Sequence, residues 1–348
     1  MPNDDVDVLD AALARLAPSG PDLVNGMTNH APMVVEALCT MNRADWVDAW
    51  IDDNLASFTP WPEARAPIVE REWREAAGQP GRASDWRAFF EAQLESADWR
   101  GVLDGWSARL APGAAAAAGH GLIRVGHAAR SLARRDSRPR RAELAAALAL
   151  WASSYSELPT GARSPVDRHS ARAALAEVTL LPAARRRNAG SITAALRQLQ
   201  DHAPFPEVVD LLDPMDDVGA AVPTLVELFA CVFLTNATTA LEGVVFTHGI
   251  TIHAAVGNIA PSVSPTTARR LQRYAWQTSA ALYAAYGTRA PLGHLPRTHD
   301  TGEDIIALAV ASGDDHLIKL TEACLTWAPH SGAAQGAGAA LIALISAD

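Results

Sequence analysis

The sequence predicts an all-α protein, and two observations carry that prediction. Alanine and leucine dominate the apolar stretches, whereas the alternation of valine, isoleucine and threonine that is typical of half-buried strands is short throughout. No Asn-Gly pair joins two alternating runs, so the strongest short signal of a β-hairpin is missing. The 348 residues are 49% hydrophobic and 20% charged, which is enough apolar surface for a sizeable core. No long linker separates two folding units, so residues 1–348 are expected to form a single large helical domain with its functional site in the core.

Capping residues, prolines and glycines divide the first half of the chain into helices. The predicted helices are residues 4–16, 28–41, 42–56, 84–93, 98–110, 112–133 and 142–155, with Thr28 or Asn29 capping the second. Trp46 and Trp50, four residues apart, are expected on one face of the third helix. Residues 60–80 are proline-rich and expected to be irregular, and the arginine-rich residues 134–141 are expected to form a solvated connector. The tryptophans of residues 86–106 are assigned to the core rather than to a cofactor.

The second half shows the same pattern with longer apolar runs. The predicted helices are residues 169–180, 191–202, 220–246, 264–286, 302–311, 313–327 and 332–345, with loops at 158–168 and 291–301. The helix 220–246 is expected to run directly into residues 247–253, with a break or kink at Gly249. Glu227, Asn236 and Glu242 interrupt its apolar stretch, which favours a core helix over a membrane span.

Composition and motifs argue against several classes of protein. The net charge of −10 opposes binding to nucleic acid. Cys39, Cys231 and Cys324 are far apart and form no C-x-x-C pair, so they are expected to be buried free thiols. Residues 1–10 are acidic and lack an apolar core, which argues against a secretory signal and for a cytoplasmic protein. The glycines of residues 332–338 follow no predicted strand, so no flavin or NAD fold is expected. Whether the chain forms a homo-oligomer stays open.

The most unusual residue is Lys319, the single lysine among 29 basic residues. Only an amine, and not a guanidinium, can lose its proton near neutral pH and become nucleophilic. His316 lies three residues earlier, so a helix places both side chains on one face, about 5 to 6 Å apart at Cβ. The two could share one ligand, or they could be an ordinary pair on a solvated helix.

Spacing also sorts the other histidines. His120 and His127 would share a face of one helix but lie about 10.5 Å apart along its axis, which is too far for both to bind one metal ion. His253 lies about 140° around a helix from His248, so a regular helix points only one of them inward. No H-E-x-x-H, E-x-x-H, G-x-S-x-G or Walker motif occurs. The residues alone therefore predict a helical protein in which a histidine-rich metal site is one option.

Four stretches together resemble the questin oxidase-like family. They are Asn29-His30 opening residues 31–38, His120-Gly121-Leu122-Ile123 with Gly126, His248-Gly249-Ile250-Thr251, and Asp315-His316-Leu317-Ile318-Lys319. The resemblance implies an all-helical oxygenase that acts on aromatic polyketides, especially anthraquinones, and opens the quinone ring with O2. A branch of the family uses a mononuclear non-haem iron held by four histidines and a carboxylated lysine.

Carried over motif by motif, the resemblance implies that Fe(II) is held by His30, His120, His248, His316 and a CO2-derived carbamate on Lys319. A carbamate is an anionic oxygen ligand that arginine cannot readily provide, which would explain why position 319 is a lysine in a chain whose other basic residues are arginines.

Further residues are candidates for roles beside the metal. His127, His253 and Asp315 are the candidates for catalytic acid–base or ligand-orienting roles, as is Asp314. The sequence leaves two alternatives open: a metal-independent Baeyer–Villiger-type oxidase, and a helical carrier of aromatic polyketides without catalysis.

Overall fold

The computed structural model describes residues 4–161, 168–186, 190–290 and 302–346, with side chains from residue 7 onward. The predicted loop 291–301 lies outside these residues, as does most of the predicted loop 158–168.

The protein is all-α, as the sequence predicted. Its α-helices are α1 (Asp4–Leu16), α2 (Ala31–Thr40), α3 (Val47–Asn54), α4 (Trp73–Ala76), α5 (Ala83–Ser96), α6 (Trp99–Leu110), α7 (His120–Arg134), α8 (Arg138–Ser153), α9 (Ala171–Ala176), α10 (Ile192–Arg197), α11 (Val218–Asn236), α12 (Ala240–Ile259), α13 (Pro265–Tyr286), α14 (Gly302–Ser312), α15 (Asp315–Trp327) and α16 (Gly332–Ile345). Short 3-10 turns extend or join several of them. Two short strands, β1 (Ser19–Leu23) and β2 (Phe58–Pro60), pair antiparallel and were not predicted.

Helix starts follow the capping residues where these are strong. Asp98 accepts hydrogen bonds from the backbone N–H groups of Arg100 and Gly101 at the start of α6. Ser264 does the same for Thr267 at the start of α13. The predicted bounds of both helices therefore agree with the observed ones to within one residue.

The prediction of one long helix from residue 220 into the 247–253 stretch is wrong. The chain leaves helix α11 at Asn236 and starts α12 at Ala240, and Gly249 lies inside α12 without a break. The cause is a capping arrangement at Thr239, whose side chain accepts from the backbone N–H of Glu242 at 3.2 Å. Glu242 in turn accepts from the backbone N–H of Thr238 at 2.8 Å. Thr239 and Glu242 form the T-x-x-E pattern that is typical of a helix start. This pattern was present in the sequence, and the new helix starts there, whereas Gly249 causes no break.

The prediction that residues 134–141 form a solvated connector is also wrong in part. Helix α8 begins at Arg138, and Arg140 is 1% exposed. Its guanidinium pairs with Asp10 of α1 at 2.6 Å and donates to the carbonyl oxygen of Ser131 at 2.6 Å. A buried arginine needs such partners, and they lie too far away in sequence for a local pattern to reveal them.

The tryptophans and cysteines are mostly where the sequence placed them. Trp86, Trp99 and Trp106 are buried in the core. The three cysteines are buried free thiols. Trp46 and Trp50 do not share a buried face, because Trp46 ends a 3-10 turn and is 45% exposed whereas Trp50 of α3 is 8% exposed.

Three apolar clusters form the interior. The first surrounds α11, the first half of α12, α15 and α16; the second surrounds α5 to α8 and the second half of α12; the third surrounds α1 to α3. Helix α12 packs on α7, α11, α13 and α15, and α15 packs on α2. The helices α2, α7, α12 and α15 therefore bring all three clusters together.

Two segments, Val218–Asn236 and Ala240–Ser262, are long and apolar enough to cross a membrane by length and composition. The protein buries 56% of the first and 83% of the second in its own interior. Core helices commonly show this combination, so it is weak evidence for a membrane span.

Candidate metal centre

Four buried histidines converge where α2, α7, α12 and α15 meet. His30 occupies the N-cap position of α2, His120 is the first residue of α7, and His316 is the second residue of α15. His248 lies in the middle of α12. Each of the four is 7% exposed or less.

The ring nitrogens of these histidines approach one another closely. Nε2 of His120 lies 2.6 Å from Nε2 of His30 and 3.0 Å from Nε2 of His248. One ring nitrogen from each of His30, His120 and His316 lies within 4.8 Å of the others. The ring centroids of His248 and His316 are 5.4 Å apart. The structure thus brings together all four histidines predicted as ligands.

An oxygen atom faces Nδ1 of every one of these rings. His30 Nδ1 hydrogen-bonds to Oδ2 of Asp315 at 2.7 Å, and His248 Nδ1 donates to the carbonyl oxygen of Val244, also at 2.7 Å. His120 Nδ1 donates to the carbonyl oxygen of Ala117, and His316 Nδ1 lies 2.6 Å from Oδ1 of Asp315. An oxygen acceptor holds the proton on Nδ1, so Nε2 carries a lone pair.

Lone pairs that face each other at 2.6 and 3.0 Å repel unless a cation lies between them. Protonating an Nε2 is opposed by burial, which lowers the pKa of His30 to about 3 and those of His120 and His248 well below their usual value; the charge of a neighbouring histidine or of Lys319 lowers each further. Nitrogen ligands about 2.1 Å from one metal ion and at right angles are about 3 Å apart. The donor set therefore fits a transition metal such as Fe(II).

Asp315 orients two of the four rings. Its two carboxylate oxygens face Nδ1 of His30 and Nδ1 of His316, and its side chain is 26% exposed. Burial alone would raise the pKa of Asp315, but the two imidazoles outweigh that effect and hold the pKa well below its usual value. Of the two roles predicted for Asp315, this geometry favours orienting over proton transfer. Asp314 caps α15 by accepting from the backbone N–H of Leu317 at 2.7 Å.

A left-handed backbone segment sets the position of His120. Ala117, Ala118 and Gly119 have φ angles of +47°, +58° and +94°. Two consecutive alanines in this region are strained, at about 1 to 3 kcal/mol each. The turn brings the carbonyl oxygen of Ala117 onto His120 Nδ1, so the strained backbone lies where it fixes the tautomer of a candidate ligand.

Lys319 lies one turn after His316 on α15 and is 2% exposed. Burial lowers the pKa of Lys319 to about 8, although Asp315 and Asp314 act against this shift. The charge of its ammonium form also lowers the pKa values of three of the cluster histidines. A cationic Lys319 would therefore lie close to the ring nitrogens and oppose a bound metal.

His127 lies away from the four histidines, as its spacing predicted, and belongs to a second buried group. Its Nδ1 donates to Oε2 of Glu36 on α2 at 2.7 Å. Arg130, one turn later on α7, donates to both oxygens of Glu36 and to Oε1 of Glu322 on α15. We call Glu36, His127, Arg130 and Glu322 the helix clamp. A catalytic role for His127 stays a prediction.

Sequence reasoning missed three of the four clamp residues. Glu36 and Glu322 are each 2% exposed and lie on buried faces of α2 and α15. Acidic residues on a buried helix face were the available signal, because such residues are rarely buried without a partner.

His253 also lies away from the four histidines. Its Nδ1 is 3.0 Å from Nε2 of Gln272, its Nε2 is 3.1 Å from Oγ of Ser279, and its ring stacks on Phe229. Both ring nitrogens thus have partners in the core. A catalytic role for His253 is untested by this geometry and stays a prediction.

The fold and the site together define an all-α protein with a buried imidazole cluster of the kind that binds transition metals. A comparison with protein families identifies the chain more closely: it belongs to the questin oxidase-like family, whose sequence model matches residues 27–324. The matched range includes all four histidines and Lys319. No curated protein matches the chain. This match confirms the resemblance that four short stretches of the sequence indicated. The family implies an oxidoreductase of the oxygenase class.

Proposed function

We propose that this chain is a mononuclear non-haem iron oxygenase that opens a quinone ring of a polycyclic aromatic polyketide, such as an anthraquinone, with O2. The observation that carries the proposal is the convergence of imidazole lone pairs at 2.6 and 3.0 Å, with oxygen acceptors facing each Nδ1. His30, His120, His248 and His316 would hold the metal. When bound, iron would supply the one-electron chemistry that allows O2 to react with a closed-shell aromatic ring.

Charge supports a carbamate on Lys319 as the fifth ligand. With Lys319 as an ammonium, a divalent metal ion would have one positive neighbour and one negative neighbour, Asp315. With a carbamate, two negative groups would match the two charges of the metal. The N-terminal ends of α2, α7 and α15 also point at the site, and helix N-termini favour negative charge.

The chemistry of carbamate formation also fits the position of Lys319. The neutral amine nitrogen attacks the carbon of CO2, an N–C bond forms, and one proton is released. This step needs a deprotonated amine, and a buried lysine with a pKa of about 8 has a much larger neutral fraction near neutral pH than a lysine with the usual pKa.

The surroundings of the cluster would keep water away from the reaction. The residues that follow the histidines along α7, α12 and α15, such as Leu122, Ile250 and Leu317, are fully buried and apolar. An apolar interior suits a flat aromatic substrate and strengthens the electrostatic interactions of the ligands. Asp315 would hold the rings of His30 and His316 in place throughout the reaction.

Metal analysis of the protein purified without chelator tests the proposal. We expect about one iron per chain in the wild type and much less in Lys319→Met, which matches the side chain of lysine as far as Cε but lacks the amine and cannot form a carbamate. His202→Asn is the matched control, because His202 is a buried histidine bonded to the carbonyl oxygen of Thr179 and lies outside the cluster. It should retain iron.

Oxygen uptake with 1,8-dihydroxyanthraquinone, in its quinone and reduced forms, separates the alternatives. The proposal expects uptake that stops on thorough chelation and returns with Fe(II). Uptake that survives chelation would instead support a metal-independent oxidase. Tight binding of the probe without uptake by iron-loaded protein would support a carrier.

A further inference from the structure

We infer that the helix clamp sets the spacing of the metal ligands, so that Glu36, Arg130 and Glu322 are positioning residues of the metal centre. The inference rests on the proposed metal site and deepens it. It assigns a role to a buried charged group whose hydrogen bonds go to residues other than the four histidines.

The clamp joins the same three helices whose N-terminal ends carry His30, His120 and His316. Glu36 follows His30 by six residues on α2, and Glu322 follows His316 by six residues on α15. At 1.5 Å per residue, each carboxylate lies about 9 Å along its helix from the ligand. Arg130 reaches both carboxylates from α7. Two levels of contact, the histidines and the clamp, thus fix how these helices lie against one another.

Hydrogen bonds fix the orientation as well as the position of both carboxylate oxygens of Glu36. Its Oε1 accepts from Nε of Arg130 at 2.9 Å and from Oγ1 of Thr40 at 3.1 Å. Its Oε2 accepts from Nη2 of Arg130 and from Nδ1 of His127, the latter at 2.7 Å. A planar guanidinium that binds both oxygens of a carboxylate fixes the orientation of the two groups, which a lysine or an apolar contact does not.

Glu322 completes the link to α15. Its Oε1 accepts from Nη1 of Arg130 and from Oγ1 of Thr326, the latter at 2.8 Å. The side chains of Glu36 and Glu322 are each 2% exposed, and that of Arg130 is 11% exposed. Lys319 precedes Glu322 by one turn of the same helix, so a shift of α15 at the clamp would also move Lys319.

Stability alone does not account for such a group. A buried arginine between two carboxylates loses much of its attraction to desolvation, and well-packed apolar residues of similar volume often stabilise a protein equally well or better. What apolar residues cannot reproduce is the fixed direction of the guanidinium bonds. A variant that lacks all the charges of the helix clamp therefore distinguishes a positioning role from a purely structural role.

The test replaces the whole clamp with apolar residues and measures Co(II) binding. In the variant Glu36→Met, His127→Leu, Arg130→Met, Glu322→Met, no buried charge is left without a partner. We expect the metal-free variant to melt at or above the temperature of the wild type. We also expect its affinity for Co(II) to fall about 10- to 100-fold, with a changed d–d absorption spectrum. An unchanged affinity and spectrum would overturn the inference.

The matched control removes a buried ion pair elsewhere. Asp10 and Arg140 join α1 to α8, which carry none of the four histidines. The variant Asp10→Leu, Arg140→Leu should bind Co(II) with the affinity and spectrum of the wild type. An equal loss of affinity in this control would mean that any disturbance of the core weakens the site, and would overturn the positioning role.

Arg130→Lys tests the inference even if the apolar variant does not fold. It keeps the positive charge and loses the planar fork, so we expect a folded protein with weaker Co(II) binding and a shifted d–d spectrum. Wild-type behaviour in Arg130→Lys would overturn the inference while leaving the proposed metal site intact. A wild type that binds no Co(II) would overturn both.

Discussion

At the scale of single residues, the position of one proton on each imidazole decides whether the cluster can bind a metal. The acceptors at Nδ1 are an aspartate for two rings and a backbone carbonyl for the other two. Each leaves Nε2 free to donate its lone pair. Asp315 is the side chain that performs this for two ligands at once, so it is the most informative residue to change.

Asp315→Asn should weaken metal binding about 10- to 100-fold. The carboxylate offers two acceptor oxygens, whereas an amide offers one acceptor and one donor. Either His30 or His316 therefore loses the acceptor for the proton on its Nδ1. Titration with Co(II), followed by absorption, measures the effect. Asp98→Asn is the control, because Asp98 caps α6, which carries none of the four histidines, and asparagine caps helices as well as aspartate does. This variant should bind Co(II) normally. Equal affinities for wild type and Asp315→Asn would contradict the orienting role.

His253 should make the protein less stable in acid. Burial lowers its folded-state pKa from the usual 6.5 to about 3, so the unfolded chain takes up a proton first as the pH falls between these values. The free energy of unfolding therefore decreases with falling pH, by up to about 1.4 kcal/mol per pH unit from this residue. Urea unfolding of metal-free wild type and His253→Asn at pH 4 to 7 measures the slope. The variant should show a smaller slope, and identical slopes would count against a neutral, buried His253.

The sequence revealed part of the site at this scale. One turn of helix pairs His316 with Lys319, and spacing correctly separated His120 from His127 and His248 from His253. Spacing could not join histidines that lie 68 to 286 residues apart, and the family resemblance supplied that link.

Roles that depend on distant partners were harder to predict. The shared hydrogen-bonding of Asp315 and the clamp around Arg130 depend on which helices are neighbours, and no local pattern encodes this. The same holds for Arg140, whose partners on α1 and α7 lie 130 and 9 residues away.

At the scale of helices, the contact between α7 and α12 sets the distance between His120 and His248. The two helices touch at Gly126, where an added Cβ would lie 2.6 Å from both Cα and Cβ of Ala255. Glycine at this position allows the two helices to approach each other closely. The contact is with backbone, which cannot move aside as a side chain would.

Gly126→Ala should therefore push α7 away from α12. We expect a loss of about 1 to 3 kcal/mol in the free energy of unfolding, together with weaker Co(II) binding. Gly105→Ala on α6 is the matched control, because open space surrounds that position. The control should gain about 0.5 to 1 kcal/mol, since alanine is the better helix former. Chemical denaturation gives both values, and a Gly126→Ala protein as stable as its control would contradict the close contact.

Helix bounds were predictable where the chain carries strong caps and breakers. Helices α1, α6, α13 and α16 were placed to within one residue at both ends. The break between α11 and α12 was missed because apolar composition was given more weight than the T-x-x-E signal at Thr239. The pairing of β1 with β2 was missed because strands this short leave little alternation to detect.

At the scale of the whole molecule, the histidines lie where three apolar clusters meet. Ala31, Leu122 and Ile250, each close in sequence to a different ligand, belong to the third, second and first cluster respectively. A metal ion at this junction would bind helices that belong to all three clusters. The overall all-α fold was predictable from composition, whereas this junction depends on the packing of the complete chain.

The most direct test of the metal centre is anomalous diffraction at the iron absorption edge, from crystals of the protein purified without chelator. The account predicts one iron peak about 2 Å from Nε2 of His30, His120, His248 and His316, with density for a carboxylate on Nζ of Lys319. A peak away from these nitrogens, no peak at all, or a bare amine on Lys319 beside the metal would contradict it.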